Sequence, residues 1–469
     1  MFEKCGLGVA GSITADGHGN ITGGSLDVND NQVISSSSAL AGTYTLDSNS
    51  RGIITLTNMV GSVTHPLAFA FTLKADGTAG NMIGVDANNF VISGTIQKQD
   101  AAGFSLAQLA GDYAFELSSR ALSQSTLLGR FTLGQSGAST NVVFDLSVSG
   151  FGATGPIMGG PVTATFAAAG PNGSGRGTLT LTDNSSVTEN FVYYVVAAGT
   201  FIAIEIDPPG AVQTVFAGVA NKQNFPFSPS TVNTAASVFA LTGVDAAVAD
   251  DISTIGLLTV TGSSTASLLW DTDDAGLISS QITSAGQTVM FDQSTGRGTI
   301  TVASGYTNGL FDAAVFYLTS SGKGFLLDAT AGSNNRALVG RLLPQTGSGS
   351  LGPASFSGNM ITHATGFSFS DYGVLDGFLS HSVNNNVLTG SAVADVRSLA
   401  GGSHLDQIGS IPGQAVAIDA NTGRGTLTFN ASTFTNTNVF YIIGPRQFVL
   451  IDETPPPHNF IPLEFADPQ

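Results

Sequence analysis

The sequence predicts an all-β protein of four tandem modules, each an antiparallel, eight-stranded, up-and-down meander. Three observations carry this. Arg-Gly recurs at Arg51, Arg176, Arg297 and Arg424, a period of about 120 residues, and each time it opens an alternating apolar/Thr strand. A glutamine (Gln99, Gln223, Gln345, Gln469) closes each unit at a matching spacing. Within a unit, short runs of period-two hydrophobicity succeed one another between Gly, Asn, Asp and Pro, with no convincing helix.

The modules are bounded at residues 1–99, 109–223, 237–345 and 354–469, each long enough for its own core. The intervening segments, 100–110, 224–236 and 346–353, are rich in Ala, Ser, Gly and Pro and read as short tethers, which makes the chain beads on a string. Phe225-Pro226-Phe227 is placed to pack into a neighbour and fix the angle between the second and third modules.

In the second module strands are expected over 111–118, 127–134, 141–148, 162–166, 177–182, 191–196, 201–206 and 214–220. Eight such strands can close into a lipocalin- or avidin-like barrel, its interior filled by side chains or holding one small ligand. A two-sheet sandwich is the alternative. The first module is short by one strand, because Ile13 aligns with Phe131 and the counterpart of the 111–118 strand falls before Met1. This reads as a truncated gene or fragment with two open sheet edges.

After Arg-Gly the pleat is plain. Ile54/Leu56, Leu179/Leu181, Ile300/Val302 and Leu427/Phe429 face the core, and Thr55, Thr180, Thr301 and Thr428 face water. The seventh strand reads the same way: Ile83/Val85, Ile204/Ile206, Phe325/Leu327 and Val449/Ile451 are core. Asp86, Asp207, Asp328 and Asp452 then fall on the outer parity as rim caps. These Asp lie at the rim opposite the recurrent Arg, so each Arg is expected to pair with its own hairpin acid, Asp47, Asp292 or Asp419, and to structure that turn. The second module has Gly173-Ser174-Gly175 and no acid there.

Composition narrows the function. Only 10% of residues are charged, 42% are hydrophobic, and the net charge is −18, so the chain repels a phosphate backbone; nucleic acid and anionic membrane surfaces are excluded as partners. No apolar run reaches the ~18 residues of a membrane helix, so membrane insertion is not expected. Cys5 is the only cysteine and forms no intrachain disulfide. Low Lys, abundant Thr, Ser and Gly, and acidity suggest an extracellular or cell-envelope protein whose signal segment is not in this chain.

Candidate chemistry is sparse. Asp16 and Asn20 with Asp27, Asn29 and Asp30 concentrate oxygen ligands and could hold Ca²⁺, although the spacing is not that of an EF-hand and two polar turns explain it equally well. No other cofactor is indicated. His363, His381 and His404 lack the spacing of ligands on one strand. No serine has flanking glycines in nucleophile-elbow spacing. Gly347, Gly349 and Gly352 lie in a linker without strand-to-helix context. Glu205 is an acid in an apolar strand, but Gly84, Leu326 and Leu450 at the aligned positions are not acids, which argues against a repeated catalytic site.

The stretches Ala-Asp-Gly-His-Gly-Asn-Ile-Thr-Gly-Gly (15–24), Gly-Thr-Tyr-Thr-Leu-Asp (42–47) and Gly-Arg-Gly-Thr-Leu-Thr (175–180) resemble tandem Gly/Thr-rich β-repeat proteins of bacterial secretomes, a family without assigned activity. The resemblance covers the whole chain, with repeats three and four diverged, and implies a scaffold and no chemistry. The expected function is a non-enzymatic structural, adhesive or multivalent binding protein, its partner a surface glycan or protein. A small-ligand-binding barrel is the alternative.

Overall fold

The computed structural model describes residues 7–30, 33–57, 66–86, 91–120, 123–150, 159–183, 188–207, 215–227, 236–245, 250–274, 276–302, 311–330, 336–347, 350–368, 371–398, 402–430, 435–453 and 463–469. Its strands form four antiparallel sheets, one per repeat. In module 2 the strands are Gly111–Arg120, Ser123–Leu133, Ser139–Gly150, Gly159–Ala169, Arg176–Asp183, Thr188–Ala197, Thr200–Glu205 and Ala217–Lys222. The first pairs with the last, so the sheet closes into an up-and-down barrel; modules 3 and 4 close in the same way. The sandwich alternative is set aside.

Module 1 stays open. Leu7–Ala15 corresponds to the second strand of the other modules and pairs only with Asn20–Asp30, while Ser93–Gln97 pairs only with Ala79–Gly84. Among the described residues nothing fills the first strand position between those two edges. Leu7, Val9, Ile13, Met82 and Ile96 on the inner face are accordingly only half-buried.

The closed barrels are filled. Tyr113 stacks on Phe131 at 5.2 Å inside barrel 2, and a void among Phe115, Leu179 and Phe201 there is about 10 Å³, roughly the space of one water. Barrel 3 holds Trp270, Phe239 and Phe316, and barrel 4 holds Phe356, Phe440 and Phe448. The linkers help fill them, which corrects the tether reading. Leu109 and Phe104 plug barrel 2, Phe227 plugs barrel 3, and Leu351 and Phe356 plug barrel 4. An expected tether spends its few apolar residues as a stopper for the barrel that follows it.

The Arg-Gly repeat has a steric cause. Gly177, Gly298 and Gly425 face inward, and the cross-strand neighbours Tyr193, Phe316 and Phe440 lay their rings over them, so an added Cβ would lie 2.0–2.3 Å from a ring carbon. The Arg, of opposite parity, points out of the barrel. Leu179, Leu181, Ile300, Val302 and Leu427 are buried inside as expected, and Thr55, Thr180, Thr301 and Thr428 are half-buried or exposed.

The seventh strand requires a correction. Ile204, Phe325, Leu327, Val449 and Ile451 do not line their own barrels; they face a neighbouring module. Both faces of this strand are apolar because both are buried, and period two alone does not say which face is inner.

These contacts join the modules head to tail. Ala10 of module 1 packs on Val192, Tyr194 and Ile204 of module 2. Ala114 and Leu128 of module 2 pack on Val315, Phe325 and Leu327 of module 3. Val238, Ala240 and Ile255 of module 3 pack on Val439, Val449 and Ile451 of module 4. Val374 of module 4 packs on Ala70 and Ile83 of module 1, and the series closes on itself. The beads are a ring of four, made by one repeated heterologous contact.

Two outcomes are expected. Gly298→Ala should destabilise by about 1–3 kcal/mol in chemical denaturation, because Phe316 has to leave its seat. Hydrogen exchange should be faster along Ser93–Gln97, whose outer ladder has no partner among the described residues, than along the equivalent Ala217–Lys222.

Candidate functional site: the clasps between barrels

The recurrent arginines reach chiefly to an acid of the preceding module; Arg51 also keeps its hairpin acid, Asp47, at 3.8 Å. Arg176 Nε and Nη2 donate to the two oxygens of Asp27 in module 1 at 2.7 and 2.8 Å, and Tyr194 Oη donates to the same carboxylate at 2.5 Å. Arg297 and Tyr317 grip Asp145 of module 2 in the same way, at 2.9, 2.7 and 2.7 Å. Arg424 and Tyr441 grip Asp271 of module 3 at 2.9, 2.6 and 2.6 Å. The fourth clasp closes the ring: Arg51 Nη2 lies 2.7 Å from Asp395 of module 4, with Thr72 where the other modules have Tyr.

Register explains why this set recurs. Arg and Tyr are direct cross-strand partners on the fifth and sixth strands, so both side chains leave the same outer face. The planar guanidinium then meets a carboxylate side-on, a geometry lysine lacks. The carboxylates are buried: the Asp27 and Asp271 side chains are 0% exposed. Burial pushes the Asp27 carboxyl up, and hydrogen bonds from Arg176, Ser36 and Tyr194 outweigh it, so its pKa lies below the usual value. The Tyr194 and Tyr317 phenols are raised, by burial first.

A second tie runs beside each clasp, and it uses the closing glutamines. Gln99 Nε2 donates to the carbonyls of Ser174 and Val195 in module 2. Gln223 does the same to Thr295 and Leu318, and Gln345 to Thr422 and Ile442. Gln469 Nε2 reaches the Asn49 carbonyl of module 1 at 2.7 Å, the carbonyl two residues before its arginine as in the other three. Gly175, Gly296 and Gly423 take positive φ just before the Arg, and a Cβ there would lie 2.8–2.9 Å from the tying Gln nitrogen.

The hairpin acids have another task. Asp47 Oδ1 accepts from the backbone N–H of Asn49 and Arg51, Asp292 from Ser294, and Asp419 from Asn421. Asn172 performs this role in the second module, so the missing acid there is no loss. Asp47 does lie 3.8 Å from Arg51, but its side chain is 45% exposed and the pair is secondary to Asp395.

The proposed rim acids divide. Asp86 and Asp207 follow their strands half-buried, and Asp207 accepts from the N–H and Nδ2 of Asn190. Asp328 and Asp452 instead share the inner face of Leu326 and Leu450, and their structural equivalent in module 2 is Glu205, not Asp207. The sequence alignment slipped by two residues because it matched apolar pairs. Counting from the clasp tyrosine would have placed all three acids together. Burial raises Glu205 to about 7 and Asp328 to about 6.

The calcium candidates are not brought together. Asp16 caps a turn, accepting from the N–H groups of His18 and Asn20 and from Asn20 Nδ2. Asp27, Asn29 and Asp30 lie at the far end of the strand Asn20–Asp30. Asp27 is consumed by the clasp, and Asn29 Nδ2 donates to the Glu205 carbonyl of module 2 at 2.8 Å. Among the described residues no group of three His, Cys, Asp or Glu is arranged to hold a metal ion. His363 and His381 sit on adjacent strands but oppose Asp376 and Gly358, and so do not meet; the side chain of His404 and all of Cys5 lie outside the described residues.

No family model and no curated protein matches the chain. Among solved structures, transferrin binding protein B of Haemophilus parasuis Hp5 is similar in two mutant forms. The Trp-176-Ala form has 10% identity and TM-score 0.19 and covers 91% of this chain and 94% of that one. The Tyr-167-Ala/Trp-176-Ala form has 10% identity and TM-score 0.21, covering 99% and 95%. Intact Ap-TbpB, with N and C lobes, has 10% identity and TM-score 0.19, again covering 99% and 95%. Scores this low carry no argument. Among the described residues no helix is long and apolar enough to cross a membrane.

Asp145→Ala should cost about 3–5 kcal/mol in denaturant unfolding, since it strands Arg297 and Tyr317 in a buried seam. Asp292→Ala, the loss of a turn cap, should cost about 1 kcal/mol.

A pH dependence follows from the seam between modules 3 and 4. Burial, with Asp452, Asp274 and Glu453 nearby, pushes Asp273 to about 7, and burial with Asp271 raises Glu453 to about 7. Acids whose folded pKa exceeds the unfolded value hold protons only while folded, so their effect is to lower stability as pH rises from about 4 towards 7, levelling above. Melting temperature should fall across that window, and Asp273→Asn should flatten the fall.

Proposed function

We propose that this protein is a non-enzymatic extracellular or cell-envelope scaffold, a rigid ring that presents its inter-strand loops for weak multivalent binding to a surface protein or glycan. The observation that supports this reading is the closure of four modules by four clasps, which joins the four sheets in one body. The composition, acidic and poor in lysine, suits the outside of a cell. The packed aromatic core of barrel 2 favours this reading over a lipocalin- or avidin-like chamber.

The test is to probe arrays of cell-envelope proteins and glycans with the full chain, following both retention and chemical change of each ligand. Retention without turnover is expected. Turnover of a retained ligand would replace the scaffold with an enzyme.

A further inference from the structure

Apart from Thr72 at the tyrosine position of the clasp between modules 4 and 1, the seams differ at one further place. On the outer face, two residues before each clasp aspartate, stands a residue with a direct cross-strand partner. The pair is Arg130 and Val143 in module 2, Leu257 and Leu269 in module 3, and Phe378 and Val393 in module 4. In module 1 it is Ser12 and Ser25. Two short side chains stand where the other seams carry long or branched ones, and a cleft of about 520 Å³ opens between modules 1 and 2.

The lining has a specific chemistry. Ser12, Thr14, Ser25 and the closing Gln99 come from module 1, Phe104 from the linker, and Asn172 from the turn before Arg176. None carries a charge. Ser12 is buried at 8% exposure, and its Oγ lies 3.5 Å from Ser25 Oγ, too long for a strong bond; Ser25 Oγ is better engaged with Ser174 Oγ at 3.0 Å. The Ser12 hydroxyl therefore keeps hydrogen-bonding capacity facing the cleft. Phe104 is held against the core of barrel 2, which fixes its ring at the wall.

We propose that this cleft binds a neutral saccharide of one or two rings. Hydroxyls and amides offer donors and acceptors together, as sugar hydroxyls require, and a fixed aromatic ring suits the apolar face of a pyranose. The volume lies within the range of about 300–1,000 Å³ usual for small-molecule sites. A net charge of −18 disfavours an anionic ligand. The cleft also adjoins the edge of the strand Leu7–Ala15 that has no partner strand among the described residues, a side that the other modules cover with a first strand.

This site adds a ligand to the scaffold without resting on it, because the scaffold reading depends on ring closure and not on this seam's cleft. The test uses the full chain, titrated with glucose, maltose, cellobiose, lactose and N-acetylglucosamine by ligand-observed NMR and calorimetry, with glucuronate as the charged counterpart of glucose. At least one neutral sugar should bind with a dissociation constant in the micromolar to millimolar range, and glucuronate should bind more weakly than glucose. Ser12→Leu with Ser25→Leu installs the module 3 pair and should abolish binding while leaving the melting temperature unchanged or higher. Phe104→Ala should weaken binding about tenfold through loss of the ring face, and it serves as the second variant should the leucine pair misfold. Absence of binding by every neutral sugar, or binding undiminished by both variants, overturns the proposal.

Discussion

A carboxylate buried against a neighbouring module is the constraint on which the architecture depends. Asp27, Asp145, Asp271 and Asp395 are carried into apolar seams where an isolated charge would be prohibitively costly. Three have a bidentate arginine and a phenol delivered by the next module, and the fourth, Asp395, has Arg51, with Thr72 at the tyrosine position. Once the acid is fixed, the rest follows. Arg must sit on the outer parity of the fifth strand, the next residue then points inward, and the aromatic ring beside it leaves room there only for glycine. The Gly before the Arg lets the closing glutamine approach. The Gly-Arg-Gly signature is thus one device with an inward and an outward half.

Much of the fold was legible in the residues. All eight strands of module 2 could be placed from alternation and turn chemistry, and the unfilled strand position of module 1 followed from aligning Ile13 with Phe131. What sequence reasoning missed was partnership between repeats. A period of two reports that a strand has two different faces, but Phe325 and Leu327 are as apolar as Leu326, so no pattern in that strand separates barrel interior from seam. The arginine's partner lay about 150 residues upstream in the previous repeat, beyond any local rule. A usable signal did exist: an Asp recurs at Asp27, Asp145, Asp271 and Asp395 with the same period as the Arg. Within its own repeat Asp27 stands beside Asn29 and Asp30 and suggests a calcium cluster; only the comparison across repeats singles it out.

The ring is not fourfold in detail, and its departures cluster around module 1. That module lacks a first strand among the described residues, carries Ser12 and Ser25 in place of bulky fillers, and replaces the clasp tyrosine with Thr72. Thr72 Oγ1 turns instead to Asp376 at 2.6 Å, an acid held well above its usual pKa by burial first. Four copies of one sequence would give four equal seams. Here two seams are closely alike, one contains a cleft, and one closes the circle with a reduced clasp.

That reduced clasp has a consequence for association. Each barrel carries a donor face and an acceptor face, and a heterologous contact of this kind either closes on itself or propagates without limit. Closure between Arg51 and Asp395 hides the last pair of complementary faces within one chain. Were that seam to part, module 4 of one molecule would present Asp395 to the Arg51 face of another, and the same chemistry that makes a discrete ring would make open filaments. Intramolecular proximity of the two ends favours the ring over the filament.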